Sequence, residues 1–159
     1  MRVVVIGATG HVGTHLVPRL ALAGHDAEDA AGTIWVHGPA TDSPLTEDDP
    51  REPFGDDGTR KAGIARLLHA GTRTGGLPCT VLHPGHISGA GWPVTTPLGN
   101  LDPAVWRALD TGAELPVPGL GLETLRHVHA DDVAQAFELA LHRRSRAVGG
   151  ASTSSPNGR

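Results

Sequence analysis

A chain of 159 residues holds one domain with its own core and is too short for two comfortable ones. Its 13 basic and 17 acidic side chains form no block longer than the triplet Glu47 to Asp49, which argues against nucleic acid or an anionic membrane as partner and favours a small soluble ligand. One cysteine, Cys79, forms no internal disulfide, and the N-terminal apolar run is too short for a leader or a spanning helix, so a cytoplasmic protein is expected.

The first element is a β-branched run, Val3 to Ile6, followed at once by Gly7, Ala8, Thr9, Gly10, His11, Val12 and Gly13. Thr14 to Ala23 then carries Leu16, Val17, Leu20 and Ala21 at helical spacing, with Gly24 as a stop. Strand, glycine turn and helix in this order suit a diphosphate. Residues without side chains let the backbone approach the anion, and the helix N-terminus offers amide donors and partial positive charge. The phosphate is expected over Gly10 to Val12. Pro18 is placed near the first turn, where its missing N–H matters least.

His25 to Gly32 is polar and alanine-rich and predicts a short connector. Thr33 to His37, TIWVH, is β-branched and aromatic between two glycines and predicts a second buried strand. A loop rich in Pro, Asp and Glu runs from Pro39 to Asp56. Thr59 to Thr72 predicts a helix with Ile64, Leu67 and Leu68 on its inner face, ending before Gly75 and Gly76. Cys79 to Leu82 is a third apolar run, in which Cys79 reads as a buried, inert thiol. His83 to Thr96 is turn-rich. A helix is expected from Asp102 or Pro103 to Leu109, with Val105 and Leu109 on one face and Gly112 at its end. Glu123 to His129 predicts a strand. Asp131 to Leu141 predicts a helix capped by Asp131, with Val133, Phe137, Ala140 and Leu141 inward. Composition predicts a domain over 1–144 and a disordered tail over 145–159.

The spacing GxxGxxG with ATG inside it, GATGHVG, resembles the extended short-chain dehydrogenase/reductase family, also called the NAD-dependent epimerase/dehydratases. Later stretches are similar in the same order. GTIWVHG resembles the family strand that ends in Ser/Thr and then VYG, which puts Thr33 at the catalytic hydroxyl. PLTEDDPREPFGDDGTRKAGIARLL resembles the segment leading into the YxxxK helix, which puts Lys61 at its lysine, a catalytic and ribose-holding position. TVLHPGHISGAG resembles the LRPxxVYGPG turn with His83 for arginine, and HVHADDVAQAF resembles the HVxDVA helix start. The resemblance implies a reduced Rossmann-like α/β fold, with a mostly parallel doubly wound sheet and flanking helices. It also implies NAD or NADP at Gly7 to Gly13 and Lys61, and a small carbonyl or sugar-nucleotide substrate.

Three departures accompany it. Asp57 stands four residues before Lys61, where the family has tyrosine, and the chain has no tyrosine at all. A phenol of pKa about 10 exchanges a proton with an alcohol or carbonyl, whereas a carboxylate of reference pKa about 4 beside a cation stays ionised. Asp57 is therefore expected to be inactive, with turnover impaired and cofactor binding weakened. A non-catalytic NAD(P)-binding regulator, or a remnant without ligand, is the alternative. Second, eight residues separate the first helix from Thr33, where the family's second to fourth strands, about ninety residues at ~30 per βαβ unit, would lie. Asp26, Glu28 and Asp29 stand about 20 residues beyond the first glycine, the distance of a ribose-holding acid, but they follow no apolar strand and read as a solvated loop. Since crossovers are right-handed in about 98% of cases, the Thr33 strand is expected to take the vacated second-strand slot, or the first helix to change face. Third, the substrate-binding lobe is cut short.

No metal site is expected. His83-x-x-His86 and His127-x-His129 are two pairs that nothing in the sequence fixes together. Ser88 in HISGAG lacks the GxSxG elbow of a hydrolase.

Overall fold

The computed structural model describes residues 2–4, 12–24, 26–28, 34–37, 46, 48–76, 78–117, 119, 121, 125–149 and 151–152. Six short strands among them form three parallel pairs, with helices between. Strand β1 (Arg2–Val4) pairs with β2 (Asp26–Glu28), in the register Arg2 to Asp26, Val3 to Ala27 and Val4 to Glu28. Helix α1 (Gly13–Leu22) connects them, completing a βαβ unit. Leu16 and Leu20 face inward, and Gly24 ends the helix with φ 76°, a conformation glycine adopts without a Cβ clash. Pro18 lies inside α1, beyond its first turn.

Two expectations fall here. The connector expected between the first helix and Gly32 contains a strand, and the residues Ile34–His37 form a 3₁₀ turn where a strand was expected. The position beside β1 is thus filled by Asp26–Glu28, so the relocation of the Thr33 segment, or of the first helix, has no vacancy to answer. Short polar strands lack alternation, and their state is set by the neighbouring backbone rather than by side chains.

Helix α2 (Gly55–Arg73) begins four residues earlier than the periodicity indicates. It buries Gly58, Ala62, Ala65 and His69, whereas Ile64 and Leu67 are 52% and 72% exposed. Of the expected inner face only Leu68 is half-buried: small side chains let the 3₁₀ turn approach closely, and Ile64 and Leu67 are turned away. Val36 and His37 of that turn are buried.

Strand β3 (Val81–Leu82) is followed by β4 (His86–Ser88) inside the turn-rich segment. Helix α3 (Pro103–Thr111) starts as expected, with the Asp102 carboxylate accepting the Ala104 N–H at 2.8 Å, and ends at left-handed Gly112. It buries Val105 but leaves Leu109 half exposed. Strand β5 (His127–His129) pairs with β4, setting His86 opposite His127, Ile87 opposite Val128 and Ser88 opposite His129. Gly85 permits this pairing, because a Cβ there would stand 2.5 Å from the Arg126 carbonyl oxygen.

Helix α4 (Ala130–His142) packs its Val133 and Ala134 against Val12, Leu16, Leu20 and Val128, with Phe137 and Leu141 at the edge. This is the core, and it joins α1 to α4. Within the stretch 145–159 expected to be a disordered tail, the described residues include those of α5 (Arg144–Ala147) and β6 (Ala151–Ser152), and residues 153–159 lie outside the described residues. Strand β6 runs parallel to β3, and the approach is tied by the Thr80 hydroxyl to the Ala147 carbonyl and by the Gly149 N–H to the Cys79 carbonyl, both at 2.9 Å.

Candidate functional site

Gly7, Ala8, Thr9, Gly10 and His11 of the glycine turn lie outside the described residues, as does Thr33. The end of the turn is described. Val12 is buried, and its carbonyl accepts from the His15 and Leu16 amides at 3.0 and 2.8 Å, opening α1. No side-chain cap is made at Val12, and the first turn of α1 carries no acid, whereas the first turns of α2 and α4 hold Asp56 and Asp57, and Asp131 and Asp132. A helix start of this kind, between β1 and β2, fits the phosphates of a dinucleotide.

Asp57 and Lys61 occupy one face of α2 one turn apart. The Lys61 ammonium lies 3.2 Å from an Asp57 carboxylate oxygen, with the side chains 37% and 55% exposed. The carboxylate thus engages the cation that, in the family pattern, would serve a phenol and a ribose. The 3₁₀ turn Ile34–His37, which follows Thr33 in the chain, packs on this same helix.

At the other end, the front of α4 is built differently from the expected cap. The His129 imidazole Nδ1, not Asp131, accepts a hydrogen bond there, from the Asp131 N–H at 3.2 Å. Neutral His129 therefore carries its proton on Nε2. The Asp131 carboxylate is free to take Arg19 of α1, whose Nη2 reaches both oxygens at 2.8 and 2.9 Å and whose Nε lies at 3.2 Å. Gln135 donates to Asp131 at 3.2 Å, and His15 Nδ1 stands 3.8 Å away. Arg19 reaches Glu138 as well, at 3.2 Å. Hydrogen bonds from Arg19, then from Gln135, hold the Asp131 carboxyl below its usual range, and the bond to Asp131 raises Arg19. This network escaped the sequence reading because Arg19 and Asp131 are 112 positions apart. The one sequence signal was an arginine on the polar side of an otherwise apolar helix.

The histidines divide in a way the text does not suggest. His86 and His127 face each other across β4 and β5 with ring centres 5.9 Å apart, His15 meets His129 edge-on at 5.9 Å, and His37 meets His83 edge-on at 6.3 Å. Cross-strand pairing thus fixes together residues that the sequence leaves unconnected. Burial, and then His127, lower the pKa of His86. Among the described residues no three His, Cys, Asp or Glu side chains are grouped to hold a metal. No helix there is long and apolar enough to cross a membrane.

The fold is that of Rossmann-like short-chain dehydrogenase/reductase proteins. The chain is similar to dTDP-glucose 4,6-dehydratase from Bacillus anthracis in complex with NAD, at 15% identity and a TM-score of 0.70 over 99% of this chain and 76% of that one. It is similar to UDP-N-acetylglucosamine 4-epimerase from Bacillus cereus, at 16% identity and a TM-score of 0.69 over 97% of this chain and 77% of that one. A short-chain dehydrogenase/reductase superfamily protein from Agrobacterium tumefaciens with bound NAD gives 16% identity and 0.69 over 96% and 77%. No curated protein matches the sequence. The model of the NAD dependent epimerase/dehydratase family matches residues 30–152, from just beyond β2 to the end of β6, and the chain therefore belongs to that family.

Proposed function

We propose that this protein binds a nicotinamide dinucleotide at Gly7 to Gly13 and that its turnover of a sugar-nucleotide or small carbonyl substrate is severely reduced. The observation that carries the reading is the 3.2 Å contact of Asp57 with Lys61. When bound, the nicotinamide accepts or donates hydride. The chain supplies the rest: the front of α1 receives the diphosphate, the Thr33 hydroxyl hydrogen-bonds the substrate oxygen, and Lys61 holds the ribose. The step left without a group is transfer of the hydroxyl proton, since an ionised carboxylate paired to an ammonium has none to give and is too short to replace the phenol. The same pair favours a second reading, a non-catalytic protein that senses NAD(P).

Cofactor choice follows from β2. Glu28 stands opposite Val4 at the end of the strand beside β1. That is the kind of position from which an acid holds a ribose hydroxyl, about 20 residues beyond the first glycine, and it favours NAD over NADP.

Fluorescence titration with NADH and NADPH tests the reading. NADH is expected to bind, NADPH to bind more weakly, and Gly10→Glu to abolish binding by filling the turn. A panel of carbonyl substrates should give little or no hydride transfer with the natural sequence. Activity gained by Asp57→Tyr shows that the proton donor alone is missing. Binding without turnover in either form supports the sensor. Absence of NADH binding, or vigorous hydride transfer by the unmutated chain, refutes the proposal.

A further inference from the structure

We infer that Asp131 is a positioning residue for the dinucleotide-binding turn, acting through Arg19 from the neighbouring helix. The inference rests on the cofactor reading above. Asp131 does not cap α4, because His129 does. Its carboxylate instead receives Arg19 through both oxygens and Gln135 through one, and it faces His15. Arg19 continues to Glu138, so one guanidinium spans nearly two turns of α4.

The location gives this tie its purpose. Apolar contacts through Leu16 and Leu20 fix how close α1 lies to α4, and α1 also touches β2, but such non-directional contacts fix rotation about the helix axis less sharply than a directional polar bond does. A planar, bidentate guanidinium-carboxylate pair beside those contacts stops the roll, because its two bonds hold only in one orientation. A roll of roughly 20° moves each Cα of α1 by about 0.8 Å at the helix radius. Displacements near 1 Å in a positioning element can change function by about a hundredfold. The amides at risk are those at the front of α1, immediately after the glycine turn. Asp131 in turn is anchored, since α4 carries fully buried Ala130, Val133 and Ala134. A Cβ on Gly89 would stand 3.4 Å from the Ala130 Cβ, 3.8 Å from His129 Nε2 and 3.9 Å from His15 Nε2, so the residue after β4 lies beside the starts of both helices.

The test compares the full chain with Asp131→Asn, Asp131→Glu and a control, Leu139→Ala, on the exposed side of α4. Two readouts are taken: peptide-level hydrogen exchange and the Kd for NADH, both well below the midpoint of unfolding. Asp131→Asn keeps the shape and removes the charge. It is expected to speed exchange in a peptide covering 10–16 by at least about tenfold, with peptides from α2 and β4 unchanged, and to weaken NADH by at least about tenfold. The control should stay within about threefold of the parent on both readouts, and Asp131→Glu, which keeps the charge but sets it one methylene further out, should fall between the parent and Asp131→Asn. Arg19→Gln breaks the same tie from the other side and serves if Asp131→Asn does not fold. Unchanged exchange at the front of α1, or uniform acceleration throughout with an unchanged Kd, overturns the inference and leaves Asp131 a stabilising residue only. If the parent chain does not bind NADH, the cofactor reading fails, and exchange at 10–16 still decides whether Asp131 positions the turn.

Discussion

The α1–α4 end and the α2 face are made of different materials. At the first, fully buried Leu16, Leu20 and Val133 meet, and a bidentate ion pair closes over them. At the second, glycine and alanine are buried, Ile64 and Leu67 point outward, and the ion pair of Asp57 with Lys61 stands half in water. Packing is thus dense beside the helix start proposed to receive the cofactor. The proposed loss of proton transfer falls where substitution costs the fold little, because the Asp57 side chain is 55% exposed.

That contrast is open to direct attack, beginning with the largest effect. Leu16→Ala should destabilise the protein by about 2–5 kcal/mol in urea denaturation, through lost burial and the cavity left behind, whereas Leu67→Ala on α2 should change stability by no more than about 0.5 kcal/mol. Equal effects would mean that the two regions do not differ in packing.

Acid should separate them next. Burial, then Arg51 and Arg73, depress the pKa of His69 on α2, and His86 on β4 is also depressed. A depressed histidine is protonated first in the unfolded chain, so its stabilising contribution is whole above the ordinary value of about 6.5 and is lost as pH falls below it. Asp131 is a depressed carboxyl, so its contribution is present above the ordinary carboxylate range and is lost only as pH falls below about 4. Melting temperature should therefore fall in two stages, and His69→Leu together with His86→Leu should flatten the upper stage while leaving the lower one. A single stage confined to the region below pH 4 would remove the histidines from the account.

The smallest effect belongs to Asp57→Ala. An exposed i,i+4 pair contributes about 0.3–0.5 kcal/mol, so stability should barely move, and NADH affinity should rise by no more than about threefold as Lys61 is released. A fall in affinity would show that Asp57 itself contacts the ligand.

Much of the architecture was readable from residues that act locally. Asp102, Pro103 and Gly112 bracket α3 because capping needs only near neighbours, and the apolar spacing marks Leu16 and Leu20 of α1 and Val133 of α4 as inward, although Ala21 is exposed. The failures have a common cause. Asp26–Glu28 pairs because β1 lies beside it, Ile34–His37 closes into a 3₁₀ turn against α2, and Arg19 chooses Asp131 from far along the chain. None of these partners is visible in a window of text. Periodicity also misled at Ile64 and Leu67, where closeness to a neighbour selected alanine and glycine for the inside. Side-chain contacts divide in the same way: that of Asp57 with Lys61 was legible because the two are one helical turn apart, and the Asp131 network was not.

The pairing of Ala151–Ser152 with Val81–Leu82 matters to anyone trimming the gene. Val81 and Leu82 are each only 4% exposed. A version shortened at Arg144 would uncover an apolar strand edge, the kind of surface that recruits another polypeptide by backbone pairing. Expression of such a shortened form invites aggregation, so a purification handle is better appended beyond Ser152 than substituted for that segment.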